Sequence, residues 1–305
     1  MADEERSPDL TLQPVEAPEL PADPSAMWSS VREVGVRLPL RTYLREVWRR
    51  REFAVTVPLG ELRAQNQDTV LGQLWHLLNP MMLIGIYYFI FQVILEVESR
   101  RGIDNYLAFL TVGVITYNYT RSSIQAGARM IVKSRRLVQS INFPRAILPM
   151  SAMVSETISH LYALPVMLIV VVISDLTDDP IVPMWSWLLV IPALLAQLLF
   201  NFGLAMMVAR LAFHFRDVQQ FLPYILRLGM YASGVIIPLS IVPNQQLRRV
   251  LELNPVYNLI EMMRGAVLEG VVDPQVWLLG WGWALGAVIL GFWYFRRAEN
   301  EYGNV

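Results

Sequence analysis

Few side chains in this sequence could do chemistry, and most of those are cations. Arginine occurs 24 times and lysine once, at Lys133. A guanidinium grips carboxylate or phosphate through paired N–H bonds and stays charged at any physiological pH. Reactive groups are scarce beside them. Cysteine is absent, which removes disulfides, thiolate ligands and thiol nucleophiles. The three histidines, His76, His160 and His214, are scattered and form no metal pair, so no metal is expected. Lys133 follows no glycine-rich loop, which excludes P-loop nucleotide hydrolysis within this chain. Neither H-E-x-x-H nor G-x-S-x-G occurs. Asp178-Asp179 is the one candidate acidic pair, and its loop of six residues (175–180) is too short to build a site. A membrane glycosyltransferase is disfavoured on that ground. No catalytic residue is expected, and any uphill movement must draw its energy from a partner or an ion gradient.

The elements that position these cations are long apolar runs, at 74–95, 106–128, 146–174, 181–209, 221–242 and 274–295. A helix needs about 20 apolar residues to cross the hydrocarbon core. A chain of 305 residues has too little interior to hide six such runs. The reading is an all-α membrane protein with six transmembrane helices over 74–305. Short-loop Lys/Arg counts set orientation. Segments on the N-terminal side of the bilayer carry 18 basic residues and the opposite segments 5, so both termini are expected in the cytoplasm. Residues 1–26 hold seven acids, one arginine and five prolines and read as a disordered cytoplasmic tail. Residues 27–73 read as an interfacial helix and an approach segment. Leu40, Tyr43, Leu44, Val47 and Trp48 share one helical face, with Arg41, Arg45, Arg49 and Arg50 on the others. Such a helix lies in the inner interface and holds anionic lipid headgroups. The connection before the last run is read as two short re-entrant helices over 244–269, broken at Asn254-Pro255 and lining the outer mouth of a pathway.

Four motifs then carry a resemblance. They are Leu71-Gly72 with Trp75 and Pro80 at the first span, Phe143-Pro144-Arg145 with Leu148-Pro149 after the second, Phe215-Arg216-Asp217-Val218 after the fourth, and Asn254-Pro255 with Arg264. In this order and spacing the chain resembles the ABC-2 type permeases over about residues 40–300, in the branch that exports lipid-linked polysaccharides such as O-antigen and teichoic acid. Arg63-Ala64-Gln65-Asn66 departs from the family's basic-aromatic pair. The resemblance implies a homodimer in the bacterial cytoplasmic membrane and two copies of a separate ATP-binding subunit, on which ATP and Mg would bind. It implies a polyprenyl-diphosphate glycan as cargo, and the bias of arginine over lysine, read as the mark of a GC-rich genome, adds a cell-wall galactan as one candidate. An ABC-2 drug or small-lipid exporter is the alternative. No cofactor is expected on this chain, and no nucleic-acid partner.

It further implies roles for particular residues. Arg135, Arg136, Phe143, Pro144 and Arg145 would form a coupling segment seated on the ATP-binding subunit, with Arg216 and Asp217 as weaker contacts. Arg49, Arg50, Arg51 and Arg63 would hold diphosphate at the inner rim. Tyr87, Tyr88, Phe91, Tyr117 and Tyr119 would line the sugar path, and Asn254, Pro255 and Arg264 an outer gate. Arg121 is placed on the same path. A mid-span arginine costs about 2.5–3.5 kcal/mol on insertion scales, so it needs a cavity or a partner, and Glu156 is the expected partner.

Overall fold

The computed structural model describes residues 40–49, 71–96, 105–133, 145–175 and 185–298, with residues 52, 56, 58 and 60. Helix α1 is Leu40–Arg49. Helix α2 is Trp75–Tyr88, prolonged by a π-helical segment Phe89–Ile94. Helices α3 (Tyr106–Lys133), α4 (Ile147–Asp175) and α5 (Val190–His214, preceded by a 3-10 turn Trp185–Leu189) follow. Then come α6 (Val218–Ala232), α7 (Gln245–Glu252), α8 (Pro255–Arg264, prolonged by a π turn Gly265–Glu269) and α9 (Pro274–Arg297). No strand occurs among the described residues.

Helix starts follow from local chemistry. Asn244, Asn254 and Asp273 each turn a side-chain oxygen onto the first free amides of α7, α8 and α9. Pro255 and Pro274 occupy the first helical position, where no N–H is needed. Asn105 accepts from the Ala108 amide at 3.1 Å and opens α3. Gly270, at φ +67°, ends the π turn in the left-handed region.

Among the described residues four helices are long and apolar enough to cross a membrane, at Leu77–Ile94, Ile147–Ser174, Trp185–His214 and Pro274–Arg297. The chain is therefore a multi-pass membrane protein. Two of the six expected spans differ. Helix α3 has 28 residues, about 42 Å at 1.5 Å per residue, but is too polar to qualify by composition. Its polar side chains point inward. Thr111, Thr116, Thr120 and Ser123 are buried, and Gln197 of α5 donates to the Thr116 carbonyl and the Thr120 hydroxyl. The expected span 221–242 is a helix only as far as Ala232. Its 15 residues reach about 22 Å, short of the roughly 30 Å hydrocarbon core. Gly234 then takes φ +63°, and a 3-10 turn, Leu239–Ile241, replaces the rest of the helix.

Helices α3, α5 and α9 build the centre. Between α5 and α9 the backbones touch. A Cβ on Gly203 would lie 2.2 Å from the Ala287 carbonyl carbon, and one on Gly291 would lie 2.2 Å from the Gly203 oxygen. Small residues allow this approach, which is how helices associate where lipid is as apolar as leucine. Gly203→Val is expected to destabilise the permease by about 1–3 kcal/mol or more, since neither facing atom belongs to a side chain that can turn away. A lowered melting temperature in detergent would report it, and an unchanged one would show the seam to be loose. The outward faces are apolar: Ile173, Ile191, Leu278 and Ile289 are exposed on α4, α5 and α9. Lipid is the solvent such faces need.

Candidate functional site

Arg264 organises the end of the bundle at which α3 begins. Its side chain is almost fully buried, yet each terminal nitrogen has a partner. One donates to Glu261 at 2.8 Å. The other donates to the backbone oxygens of Val235 at 3.1 Å and Phe109 at 3.3 Å. The guanidinium lies 3.5 Å from the centre of the Phe109 ring. Burial pushes the Arg264 pKa down, and the Glu261 carboxylate opposes that shift. Glu269 is raised, first by burial and then by Glu261 nearby. Gly113 makes the room: a Cβ there would lie 2.6 Å from the arginine. One cation thus ties α8 to α3 and to the broken chain after α6. Tyr106 adds a bond from its hydroxyl to the Ile236 oxygen at 3.0 Å.

Asn254 supports the same junction. Its amide nitrogen donates to the Ser233 hydroxyl at 2.9 Å, while its oxygen caps α8 at the Val256 amide. Asn258 donates to the oxygens of Glu252 and Asn254, both at 2.9 Å, and so holds the α7–α8 corner. Asn254→Ala is expected to cost about 1 kcal/mol as a lost cap, plus a loosened α6 end. Faster amide exchange at Val256 and around Ser233 would register this, and unaltered exchange at both would deny it.

A second cluster gathers on α6. Its residues Leu222, Leu226 and Met230 are buried, whereas Phe221, Tyr224, Ile225, Leu228 and Tyr231 form an exposed stripe. Arg227 is exposed on the same helix. Gln220, Phe221, Pro223, Tyr224 and Arg227 line an open groove of about 410 Å³ there. The Tyr87 hydroxyl reaches the Met230 sulfur at 3.6 Å. Arg121, Arg227 and Tyr231 all lie within electrostatic reach of Tyr87. Tyr87 meets Phe91 edge to face at 6.5 Å, and Tyr88 packs half-buried on the core.

A third feature is a cavity of about 700 Å³ between α2, α3 and α4, lined in part by Asn79, Asn118, Arg129, Glu156 and His160.

Sequence reasoning located some of these residues and misplaced others. Asn254, Pro255 and Arg264 do assemble into one junction. Tyr87 and Arg121 do share a cluster. Tyr117 does not face an open path: it is buried, and its hydroxyl donates to the Leu226 oxygen. Tyr119 is buried too and lines the cavity instead. Arg121 does not pair with Glu156. Glu156, on α4, lies against Ser122 within the field of Arg129, on another face of α3 from Arg121. Neighbours in sequence diverge by about 100° around a helix, so Arg121 and Ser122 cannot face the same helix alike. Arg49 is exposed in the last turn of α1. Arg145 is half-buried in the turn before α4, and Arg216 and Asp217 are exposed in the turn between α5 and α6. Arg50, Arg51, Arg63, Arg135, Arg136, Phe143 and Pro144 lie outside the described residues, as does the acidic tail. Among the described residues no group of three or more His, Asp or Glu could hold a metal. Arg227 and the cavity were missed. The period-four polar stripe Ser155, Glu156, Ser159, His160 was the available signal for the cavity.

Comparison with known proteins gives this geometry a family. The O-antigen export system permease protein RfbA of Klebsiella pneumoniae is 22% identical over 255 residues, covering 83% of this chain and 95% of that protein. A protein of the same name from Myxococcus xanthus is 29% identical over 227 residues, covering 74% of this chain and 84% of its own length. The family model for ABC-2 type transporters matches residues 59–268, from ahead of α2 to the π turn that closes the Arg264 junction. With more than half its length matched, the chain belongs to the ABC-2 type transporter family.

Proposed function

We propose that this chain is the permease subunit of an exporter that carries a polyprenyl-diphosphate-linked cell-envelope polysaccharide across the bacterial cytoplasmic membrane. The observation that carries the reading is the end-to-end match to an O-antigen export permease, which leaves only 5% of that protein unmatched. A shared fragment would not give that coverage. The physical reading agrees with it. A sugar chain needs broad, weakly directional contacts, and the exposed tyrosines Tyr224 and Tyr231 beside Arg227 offer them. Tyr87, Tyr88, Phe91 and Arg121 continue that wall onto α2 and α3.

Two copies of the chain would enclose the path between such walls. Both termini face the cytoplasm in this reading, as the arginine bias requires. The end of the bundle with Lys133, Arg145 and Arg216 is then cytoplasmic, and two ATP-binding subunits dock there on the segment Arg135–Arg145 and on Arg216-Asp217. ATP and Mg act on those subunits. Arg49, Arg50, Arg51 and Arg63 hold the diphosphate at the inner rim, with α1 in the interface. The Arg264 junction is the outer gate, with α7 and α8 dipping into the outer leaflet. A cell-wall galactan is the cargo we favour. Depleting the permease tests the reading. Lipid-linked glycan is expected to accumulate on the cytoplasmic face while its surface form disappears; an undiminished surface glycan would refute it.

A further inference from the structure

The cavity between α2, α3 and α4 is unlike the apolar interior around it. Helix α4 presents Ser155, Glu156, Ser159 and His160 to it, one stripe at i, i+1, i+4 and i+5. Helix α3 presents Asn118, Ser122, Arg129 and Lys133 along its length, and α2 adds Asn79. The charges are ordered. Arg129 and Lys133 stand at the end where α3 stops, and Glu156, the lone carboxylate of the lining, stands deeper. His160 is 5% exposed, and its Nε2 has no hydrogen-bond partner. Its ring is fixed by stacking on Tyr119, with centroids 4.4 Å apart and planes 10° apart. Tyr119 is itself tethered. Its hydroxyl donates to Thr157 at 2.7 Å, because the Thr157 proton already goes to the Met153 oxygen. A buried imidazole nitrogen held rigidly without a partner forfeits the hydrogen bond it had in water unless something enters to meet it.

The donor set narrows what enters. Acyl chains are excluded by two amides, three serines and a carboxylate. A nucleobase needs a free aromatic face, and the one tyrosine of the lining already has a face covered by His160. Amides, hydroxyls, a carboxylate and an imidazole together are what a ring of hydroxyl groups requires, each acting as donor and acceptor. Two cations at one end suit a phosphate. About 700 Å³ holds a molecule of one or two sugar units. We infer that the cavity is a binding site for a phosphorylated sugar or polyol, its hydroxyls on Glu156, His160, Asn79 and Asn118 and its phosphate at Arg129 and Lys133. The site lies within one chain and needs neither the second copy nor the ATP-binding subunit. In the proposed orientation its phosphate end opens at the cytoplasmic face.

This chemistry has two sources, a lipid-linked sugar or a free sugar phosphate. The test uses the full chain in phosphatidylcholine nanodiscs without ATP, with binding read by saturation-transfer NMR. Three probes are titrated: a hexose 1-phosphate, a short-chain polyprenyl hexosyl phosphate, and the same polyprenyl phosphate lacking the sugar. At least one sugar-bearing probe is expected to bind ten or more times tighter than the sugarless one. Which of them binds identifies the source. Glu156→Gln and His160→Phe are each expected to weaken that binding at least tenfold while melting as the wild type does. The inference is overturned if no sugar-bearing probe binds up to millimolar concentration. It is equally overturned if the sugarless phosphate binds as well, or if the folded variants bind like the wild type. Should both variants fail to fold, the discrimination among probes by the wild type decides alone. Because no transport is measured, failure here leaves the export reading standing, and failure of export leaves the cavity standing.

Discussion

Arg264→Met is expected to abolish export and to cost about 3–5 kcal/mol of stability, the usual penalty for breaking a buried charge pair from one side. Three acceptors lose their donor at once. The Val235 and Phe109 oxygens are backbone groups, and Glu261 is left on α8 without its cation. The Phe109 ring also loses a cation on its face. Methionine fills most of the volume, so the loss reports hydrogen bonds and charge, not a void. Arg264→Lys should not rescue, because one ammonium cannot spread over acceptors on three segments as a planar guanidinium does. The measurements are the melting temperature of the purified permease and the surface glycan of complemented cells. A methionine variant that melts and exports like the wild type would remove Arg264 from the account. A permease that melts normally and does not export would make the junction a gate and not a staple.

The second large effect is expected at the segment we propose couples to the ATP-binding subunit. Phe143→Ala with Arg145→Ala should reduce co-purification of the ATP-binding subunit at least tenfold and stop export. Interface energy concentrates in a few aromatic and arginine anchors, each worth about 2 kcal/mol or more. In the proposed docking the basic residues around them, Arg135 and Arg136, would act mainly on encounter rate and salt dependence. Raising the salt should therefore slow association without matching the loss caused by the double variant. Retention of the partner by the double variant would move the docking surface elsewhere, with Arg216 and Asp217 the next residues to change.

What was legible in the sequence tracks the physics of each segment. Four apolar runs became membrane-length helices because in lipid a helix pairs its own backbone groups, and it does so here despite Pro80 and Pro165. The connection before α9 was legible because Asn254-Pro255 carries its own cap and start signal. The fifth run was misread as one span, because hydropathy alone ran through Ser233-Gly234 and Pro238. Those residues mark a turn, and the helix stops at Ala232 ahead of them. Arg121 was assigned to Glu156 on depth, since both sit mid-helix. Which way each faces depends on how α3 is rotated against α4, and a single sequence does not state that rotation. Tyr117 failed as a path residue for the same reason. Its hydroxyl serves an internal carbonyl, while Tyr224 and Tyr231 on the amphipathic α6 hold the exposed positions. The run 106–128 was read as a span on a par with the others, although α3 carries polar residues, and their burial against α5 is what keeps it in the bundle.

Transport by the purified components tests the central claim most directly. Proteoliposomes carrying the permease, with a short lipid-linked glycan on one leaflet, are assayed with and without the ATP-binding subunit and ATP. Glycan is expected to cross only when permease, partner and ATP are all present, and to stay in place when any one is withheld. Crossing driven by the permease alone would contradict the account.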